Sequence, residues 1–406
     1  MSKNASVPSR NTVTLDFVEG DLTVGRHATV KGTGSPPALR VSGTVYCEGE
    51  NTFDCNVSGE SLHAEDNVTI HGDLEVRSDV EIEDGRLEVY GKMTAGHVDV
   101  DEALYVSKDL TVDDADVGGS LKVDGNVKAD DIDVGGSFKA KGEVDAESVD
   151  VGGSISVESK VNIEDLDVGG TATVRGGRIR KVDVGGRFES TAPLEFETID
   201  VGGTVSLAGK SKGGEIEVGG SFEAKGDLQF EDIDVGGTVS IAGSGEGEEM
   251  EVGGKVDVEG SLKLSGNLEV GGEADVAGEI SAENIEVGGV LRSRKVTAKE
   301  HVEVGGSINT HEGVTGHVVE IGRRGEVTGA IKADEVIIGK DAHVEDIQGQ
   351  EILLRSGAQA KNVYGKSITI ESYCKIDGEI QYTNELRMSE QVSLAKQPQK
   401  VGSLPF

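Results

Sequence analysis

The stretch DIDVGGSFKAKGEVDAESVDVGG, residues 131–153, contains two copies of the tripeptide Val-Gly-Gly whose valines lie seventeen residues apart. The chain contains twelve copies, and every step between them is seventeen residues except one of sixteen, to Val184, and one of eighteen, to Val270. Their valines are Val117, Val134, Val151, Val168, Val184, Val201, Val218, Val235, Val252, Val270, Val287 and Val304. Such a period is typical of a solenoid, in which every turn repeats one cross-section, and not of a globular enzyme.

The residues between the valines predict what one turn looks like. After Val134, apolar or small residues follow at intervals of 4, 2, 4, 2, 3 and 2, ending at Val151. Each interval of two indicates a β-strand, because alternate residues of a strand point to the same side, and each longer interval indicates a bend. The spacings of three and four that a helix requires are not sustained. We therefore predict an all-β fold, a single-stranded β-helix (β-solenoid) of triangular section with about 17 residues per turn.

The Gly-Gly pair after each repeat valine marks the sharpest bend of the turn. Glycine adopts positive φ angles without a steric penalty, so we expect positive φ at these pairs. A second glycine recurs eight residues after many of the valines, for example at Gly125 and Gly142, and marks another bend.

The period continues beyond the tripeptide. Downstream, Ile321, Ile338, Leu354 and Ile370 keep steps of sixteen or seventeen residues. Upstream, the same step leads back to Val100, and a similar step joins Val24, Val41 and Val57, whereas residues 58–99 lose the register. We predict a β-helix of roughly twenty turns over residues 11–388, a polar N-terminal tail over 1–10 and a flexible C-terminal tail over 389–406.

The formal net charge of the chain is −36, and part of this charge is ordered. The residue before each repeat valine is acidic, and its place between two inward residues predicts that it points outward. We name this set the acidic column: Asp116, Asp133, Asp150, Asp167, Asp183, Asp200, Glu217, Asp234, Glu251, Glu269, Glu286, Glu303 and Glu320. It is either a solvated face suited to high salt or a cation ladder, with Ca²⁺ or Mg²⁺ bridging carboxylates from Asp116 to Glu251. Nucleic acid is not an expected partner, because its phosphates would be repelled.

Other chemistry is not indicated. The eight histidines form no metal-ligand spacing with the cysteines, and no catalytic residues or cofactor site are predicted, so we do not expect an enzyme. Cys47, Cys55 and Cys374 fall at inward positions and are expected to be buried, reduced thiols. The chain has neither a run of eighteen apolar residues nor an N-terminal targeting signal, which favours the cytoplasm.

Four phrases near the C-terminus resemble the bactofilins, a family of polymer-forming cytoskeletal proteins. They are EVIIG (335–339), AHVEDI (342–347), ITIE (368–371) and CKIDGEIQY (374–382). The resemblance covers roughly residues 300–385 well and the rest in period only. It implies a right-handed triangular β-helix, end-to-end assembly into nonpolar filaments without nucleotide, and a role in cell shape. Acidic archaeal relatives, the halofilins, are similar in charge. Many bactofilins attach to membranes by an apolar N-terminal segment, but residues 1–10 are not apolar, so direct membrane binding is not expected.

Three functional hypotheses follow. The first is a structural protein that assembles end to end through its terminal turns, with itself as the main partner and with other cytoskeletal or envelope proteins placing it near the membrane. Its expected polymer contacts are Val13, Leu15 and Val18 at one end and Ile380, Tyr382, Leu386 and Met388 at the other. The second is a scaffold that does not polymerise and binds partner proteins on its flat faces. The third is a left-handed β-helical acyltransferase, whose turns usually contain eighteen residues.

Overall fold

A computed structural model describes residues 3–404 of the chain. Over these residues the protein contains β-strands, turns and bends but no helix. The strands are parallel, stack about 17 residues apart, and form a β-solenoid of about 23 turns in total. The predicted fold class is therefore confirmed. The contacts divide the chain into a first unit that ends at Gly202 and a second unit that begins at Gly203.

Most strands are short, because each side of a turn accommodates only a few residues. The first unit contains the strands Ala5–Val7, Thr12–Thr14, Phe17–Val18, Leu22–Val24, Thr29–Lys31, Ala38–Val41, Val45–Cys47, Asn51–Asp54, Asn56–Gly59, Leu62–Ala64, Val68–Ile70, Leu74–Val76, Asp79–Ile82, Arg86–Val89, Met93–Thr94, His97–Val100, Ala103–Val106, Leu110–Thr111, Asp114–Val117, Ser120–Val123, Val127–Lys128, Asp131–Val134, Ser137–Ala140, Val144–Val151, Ser154–Val157, Val161–Val168, Thr171–Val174, Gly177–Val184, Arg187–Ser190, Leu194–Glu195 and Thr198–Val201. The second contains Thr204–Ala208, Ser211–Lys212, Glu215–Val218, Ser221–Lys225, Leu228–Gln229, Asp232–Val235, Thr238–Ile241, Gly245–Gly247, Glu249–Val252, Lys255–Val258, Leu262–Leu264, Asn267–Val270, Glu273–Val287, Val290–Val304, Ser307–Thr310, Val314–Ile321, Glu326–Thr328, Ile331–Ile338, His343–Leu354, Gln359–Ile370, Lys375–Ile376, Ile380–Met388, Ser393–Leu394 and Gln399–Lys400.

The repeat valines form one buried column in each unit. In the first unit the column is Val7, Val24, Cys47, Ala64, Ile82, Val100, Val117, Val134, Val151, Val168, Val184 and Val201. None of these side chains is more than 5 % exposed. In the second unit the column runs from Val218 through Val304 to Ile321, Ile338, Leu354 and Ile370, which confirms the predicted downstream continuation. Met388 follows Ile370 in register and is 43 % exposed.

Two upstream residues do not belong to this column. Val41 pairs with Val18, and Val57 pairs with Leu39 and Leu74. The cause is an insertion after Lys31: Thr29 pairs with Thr52, a step of 23 residues, and residues 32–37 leave the regular coil. The predicted loss of register over residues 58–99 corresponds to steps of 18 and 19 residues, such as Val80 on Leu62 and Leu87 on Val68.

The expected positive φ at the Gly-Gly pairs is wrong. None of these glycines has a positive φ among the described residues. They are required for another reason, which is the close approach of the preceding turn. A Cβ atom added to Gly152 would lie 2.5 Å from the carbonyl oxygen of Gly135, and one added to Gly185 would lie 2.5 Å from that of Gly169. The pairs therefore recur because each corner stacks directly on the backbone of the corner before it.

The turns near both chain ends use a different corner, which we call the left-handed corner. We call the member of the buried column in each turn, with Met388 in the last turn, its column residue. In these corners the third residue after the column residue has a positive φ: Arg10, His27, Glu50, Arg324, Asp341, Gly357 and Tyr373. In the first two turns and in those that follow Ile321, the next strand begins five residues after the column residue, as Thr12 follows Val7 and Glu326 follows Ile321. In the Gly-Gly turns it begins after three, as Ser137 follows Val134. The left-handed corner is thus two residues longer and tolerates side chains.

Both predicted tails contain strands that belong to the coil. At the N-terminus, Ala5–Val7 pairs with Leu22–Val24, and Val7 is 2 % exposed. At the C-terminus, Ser393–Leu394 pairs with Lys375–Ile376, and Gln399–Lys400 pairs with Gln381–Tyr382. Polar sequences form these strands because backbone pairing to a neighbouring turn needs little apolar surface. Met1, Ser2, Pro405 and Phe406, which were assigned to the tails, lie outside the described residues.

Candidate assembly ends and the acidic column

The first turn leaves one edge of its strands without a partner over residues 3–404. Ala5–Val7, Thr12–Thr14 and Phe17–Val18 pair only with Leu22–Val24, Thr29–Lys31 and Ala38–Val41. Of the predicted contact residues, Val13 and Leu15 are half-buried, whereas Val18 is 4 % exposed. Val18 therefore supports the first turn from inside, and Val13 and Leu15 form its accessible apolar surface.

The last turn is open in the same way. Ser393–Leu394 and Gln399–Lys400 each pair only with the turn before them, as do Glu385 to Met388 with Ser367 to Ile370. Leu386 is half-buried and Met388 is 43 % exposed, although each stands in register with a fully buried isoleucine of the preceding turn. The open surface is therefore the continuation of the core.

Two predicted C-terminal contacts are placed differently. Ile380 is 1 % exposed, so it packs inside the solenoid and is not available to a partner. Tyr382 is half-buried, and its backbone pairs with Lys400. The sequence did not reveal this cover, because the strand Gln399–Lys400 has no hydrophobic pattern. The accessible contacts at this end are therefore Leu386, Met388 and Leu394, of which Leu394 was missed.

These two surfaces combine free backbone groups with exposed aliphatic side chains. An unpaired strand edge presents a row of amide and carbonyl groups that can pair with another chain. Proteins that remain monomeric usually block such edges with charge, proline or a covering segment. Over residues 3–404 the first turn carries Pro8, just after its first strand, and the exposed charged residues Arg10 and Asp16, but no strand pairs with its outer edge.

The acidic column lies on the outer surface, as predicted. Its members pair in register within each unit, for example Asp133 with Asp150 and Asp150 with Asp167, and all except Glu320 are exposed. Parallel strands lie about 4.8 Å apart, so neighbouring carboxylates repel one another. Partial burial and the charges of Asp167 and Asp133 raise the pKa of Asp150 above its ordinary value. The column is thus a line of mutual repulsion in the absence of counter-ions.

The column ends within about a turn of the change in corner type, on either side of the Gly-Gly turns. In the first unit, Asp99 and Glu81 extend it upstream of Asp116, and His63 and Tyr46 then take its place. In the second unit, Ile337, Leu353 and Thr369 follow Glu320. Over residues 3–404, no group of three His, Cys, Asp or Glu side chains has a geometry that could hold a metal ion. The cation ladder remains a prediction.

The first unit also carries an exposed aromatic ladder, which the sequence did not indicate because its members are far apart. The rings of His71 and Tyr90 lie 5.5 Å apart, and those of Tyr90 and Tyr105 lie 5.7 Å apart. The Lys122 ammonium lies 4.8 Å from the centre of the Tyr105 ring. Carboxylates border the ladder, since His71 bonds Asp54 at 2.7 Å and the Tyr105 hydroxyl donates to Asp124 at 3.1 Å.

The cysteines are buried and unpaired, as predicted. Burial raises the pKa of Cys55 to about 11 and raises the pKa of Cys47 further, so both remain protonated thiols near neutral pH. The described part of the chain contains no helix with the length and apolar character needed to cross a membrane.

Comparisons with protein-family models, curated proteins and solved structures found no match. We therefore infer function from the geometry of the solenoid. That geometry offers two open ends, one charged column and one aromatic ladder.

Proposed function

We propose that this chain is a structural protein that assembles end to end through its first and last turns, as a cytoplasmic filament or scaffold that supports cell shape. The observation that carries the proposal is the open last turn, where Leu386 and Met388 continue a buried core but remain accessible. The open first turn offers Val13 and Leu15 in the same way. Joining such surfaces would pair the free strand edges and bury aliphatic side chains at the same time.

The test is a variant that places charge on the open core surface. Leu386→Lys/Met388→Lys adds two ammonium groups where a second copy would have to dock, and burying an unpaired charge is strongly unfavourable. We expect filaments of the wild type in negative-stain electron microscopy and only single particles of the variant. Sedimentation velocity should show the corresponding loss of large species.

The matched control is Thr315→Lys, an exposed, outward position within the second unit. It adds charge without touching either end, so its filaments should match those of the wild type. Far-UV circular dichroism must show that all proteins keep their strand content. A wild type that stays monomeric at every salt concentration would contradict the proposal, as would filaments of the doubly charged variant.

A second candidate function is a scaffold that binds partner proteins on its faces without polymerising. The aromatic ladder favours it, because the exposed Tyr90 and the half-buried Tyr105, bordered by carboxylates, suit a partner that presents lysine or arginine side chains. Tyr90→Ala/Tyr105→Ala should then reduce capture of a basic partner while end-to-end assembly is unchanged. Filaments of the wild type that no basic protein decorates would favour the first function.

A further inference from the structure

The left-handed corners connect successive turns by a directional hydrogen bond. The amide of the left-handed residue donates to the carbonyl oxygen of the corner in the next turn: Arg10 to Arg26 and His27 to Gly49 in the first unit, each at 2.9 Å. In the second unit Arg324 donates to Lys340 at 2.9 Å, Asp341 to Ser356 at 3.1 Å, and Tyr373 to Gln391 at 2.7 Å. In this bond each corner therefore donates towards the C-terminal side and accepts from the N-terminal side, whereas neighbouring amides, such as that of Gly25, donate to the preceding turn.

The two open ends carry the unused halves of this bond. In the first turn the acceptor position is the carbonyl of Ser9, two residues after Val7, and residues 3–404 provide no earlier turn to donate to it. In the last turn Gln391 holds the equivalent place, three residues after Met388, although its φ is not positive. Its carbonyl accepts from Tyr373, and no later turn follows within the same range to accept from its amide. One end thus lacks a donor and the other lacks an acceptor.

The spacing of the two end turns also matches. Thr12–Thr14 begins five residues after Val7, and Ser393–Leu394 begins five residues after Met388. Val13 and Leu394 each lie six residues after the column residue and are half-buried. A Gly-Gly turn, with its gap of three, stacks on a turn with a gap of five only with a shift of two residues, as Ile308 does on Val327. Neither end turn is a Gly-Gly turn, so the two end turns match without such a shift.

We propose that the contact between copies is head to tail: the first turn of one copy continues the solenoid from the last turn of another. This inference rests on the proposed end-to-end assembly and specifies its partner surface. Val7 would lie on Met388, Val13 on Leu394, and the Gln391 amide would donate to the Ser9 carbonyl. Arg10 and Glu390 project from the two corners with opposite charge. Because the two surfaces differ, the contact is heterologous, and a filament built from it is polar.

The alternative is a symmetric contact between two first turns or two last turns, which would give a nonpolar filament. A two-fold axis would make the facing strands antiparallel. It would also bring corner acceptor to corner acceptor, or donor to donor, so the bond that joins successive left-handed corners could not form. Head-to-tail contact preserves this bond and the parallel strand pairing.

Cysteine cross-linking distinguishes the two arrangements. Thr14 and Ala395 are exposed and each lies seven residues after its column residue, so head-to-tail stacking places them on adjacent strands. Adjacent strands lie about 4.8 Å apart, within the Cα separation of roughly 4.4–6.8 Å that a disulfide spans. Under mild oxidation, Thr14→Cys/Ala395→Cys should form a ladder of covalent multimers. A mixture of the two single variants should form covalent dimers, and either single variant alone should form none.

The wild type, oxidised in parallel, controls for its three buried thiols. Ser393→Cys, also exposed on the last turn, is a second probe for contacts between two C-terminal ends. Cross-linked dimers of Ala395→Cys or Ser393→Cys alone would overturn the head-to-tail arrangement. Filaments that give no cross-link in the double variant would also overturn it. Absence of filaments in every sample would instead refute the end-to-end function itself.

Discussion

The Gly-Gly turns and the turns near the two chain ends form the equivalent corner of the solenoid with different backbone conformations. Between Val117 and Gly306 the corner is short, and glycines such as Gly135, Gly152 and Gly289 approach the carbonyl oxygen of the glycine in the previous turn too closely for a side chain. In the end turns the corner is two residues longer, and a residue with positive φ, such as Arg324 or Tyr373, makes the bend. The acidic column largely follows the Gly-Gly turns and is replaced by other residues near both ends.

This difference explains where the sequence repeats and where it varies. A corner that stacks on an identical corner at the steric limit permits one residue type, so Val-Gly-Gly recurs. A longer corner accepts many residues, so the end turns differ in sequence while keeping one geometry. In the proposed assembly, the variable turns make the contact with another copy.

The largest effect should come from a side chain at a Gly-Gly corner. Gly152→Ala places a methyl group 2.5 Å from the Gly135 carbonyl oxygen, so the two turns must separate locally. Overpacking of this kind typically destabilises a protein by about 1–3 kcal/mol. Urea denaturation followed by circular dichroism should show a lower transition midpoint than that of the wild type.

Gly402→Ala is the control for this experiment, because an added Cβ at Gly402 meets no atom within 4 Å. The control should unfold with the midpoint of the wild type. Equal midpoints for both variants would mean that the Gly-Gly corner is not sterically limited, and the explanation of the repeat would fail.

The cation-ladder hypothesis predicts that divalent ions stabilise the turns that carry the acidic column. A site of millimolar affinity at about ten times its dissociation constant stabilises the folded state by about 1.4 kcal/mol. Thermal melts with MgCl₂ or CaCl₂ should then exceed those with chelator at equal ionic strength. Asp133→Asn/Asp150→Asn/Asp167→Asn should reduce the difference. Equal melting temperatures for the wild type would remove the hypothesis and leave a solvated acidic face.

Glycine at the positive-φ position of a left-handed corner should stabilise the protein, by less than Gly152→Ala destabilises it. Arg324 has φ 60°, a conformation that costs an L-residue roughly 1–2 kcal/mol and glycine almost nothing. Glycine also loses more backbone entropy on folding, so we expect Arg324→Gly to stabilise the protein by about 0.5–1 kcal/mol. The neighbouring Arg323 is exposed without a positive φ, and Arg323→Gly should therefore be neutral or destabilising. If the two variants behaved alike in urea, the corner assignment would be refuted.

The comparison of corners also shows what the sequence could predict. The period, the three strands per turn and the outward acidic column follow from the spacing of valines and aspartates, because a stacked coil repeats its cross-section. The column members Cys47, Ala64 and Ile82 could not be found, since the position accepts any small or aliphatic side chain and residues 32–37 interrupt the count. The inward position of Gly247 could not be predicted from the sequence either, because the Phe230 ring of a neighbouring turn occupies the space that a side chain there would fill.

The candidate ends were predicted in part. Exposure of Val13, Leu15, Leu386 and Met388 follows from their place at the limits of the period. Burial of Val18 and Ile380 and the late strands Ser393–Leu394 and Gln399–Lys400 depend on backbone pairing, which polar residues form without an apolar pattern. The hydrogen-bond direction that distinguishes the two ends is a property of backbone geometry and has no sequence signature.

The smallest effect concerns the charges of the Gly-Gly turns. Asp150 has a raised pKa, so its folded state binds a proton more readily than the unfolded chain, and stability falls as the pH rises through that pKa. Asp150→Asn should therefore stabilise the protein at pH 7 by a few tenths of a kcal/mol, in the range of exposed charge pairs. This gain should vanish below about pH 4, the ordinary pKa of an aspartate.

Asp124 provides the opposite case in the same unit. Its hydrogen bond with Lys141 lowers its pKa, so its carboxylate contributes stability above the ordinary value, and that contribution is lost as the pH falls through the lowered pKa. Asp124→Asn should destabilise the protein at pH 7 and approach the wild type in acid. As the pH is raised from 3 to 7, the urea midpoint of Asp150→Asn should rise above that of the wild type, and the midpoint of Asp124→Asn should fall below it. Parallel curves would show that repulsion within the acidic column does not affect the free energy of unfolding. Added salt should reduce the differences from the wild type, because it screens both interactions.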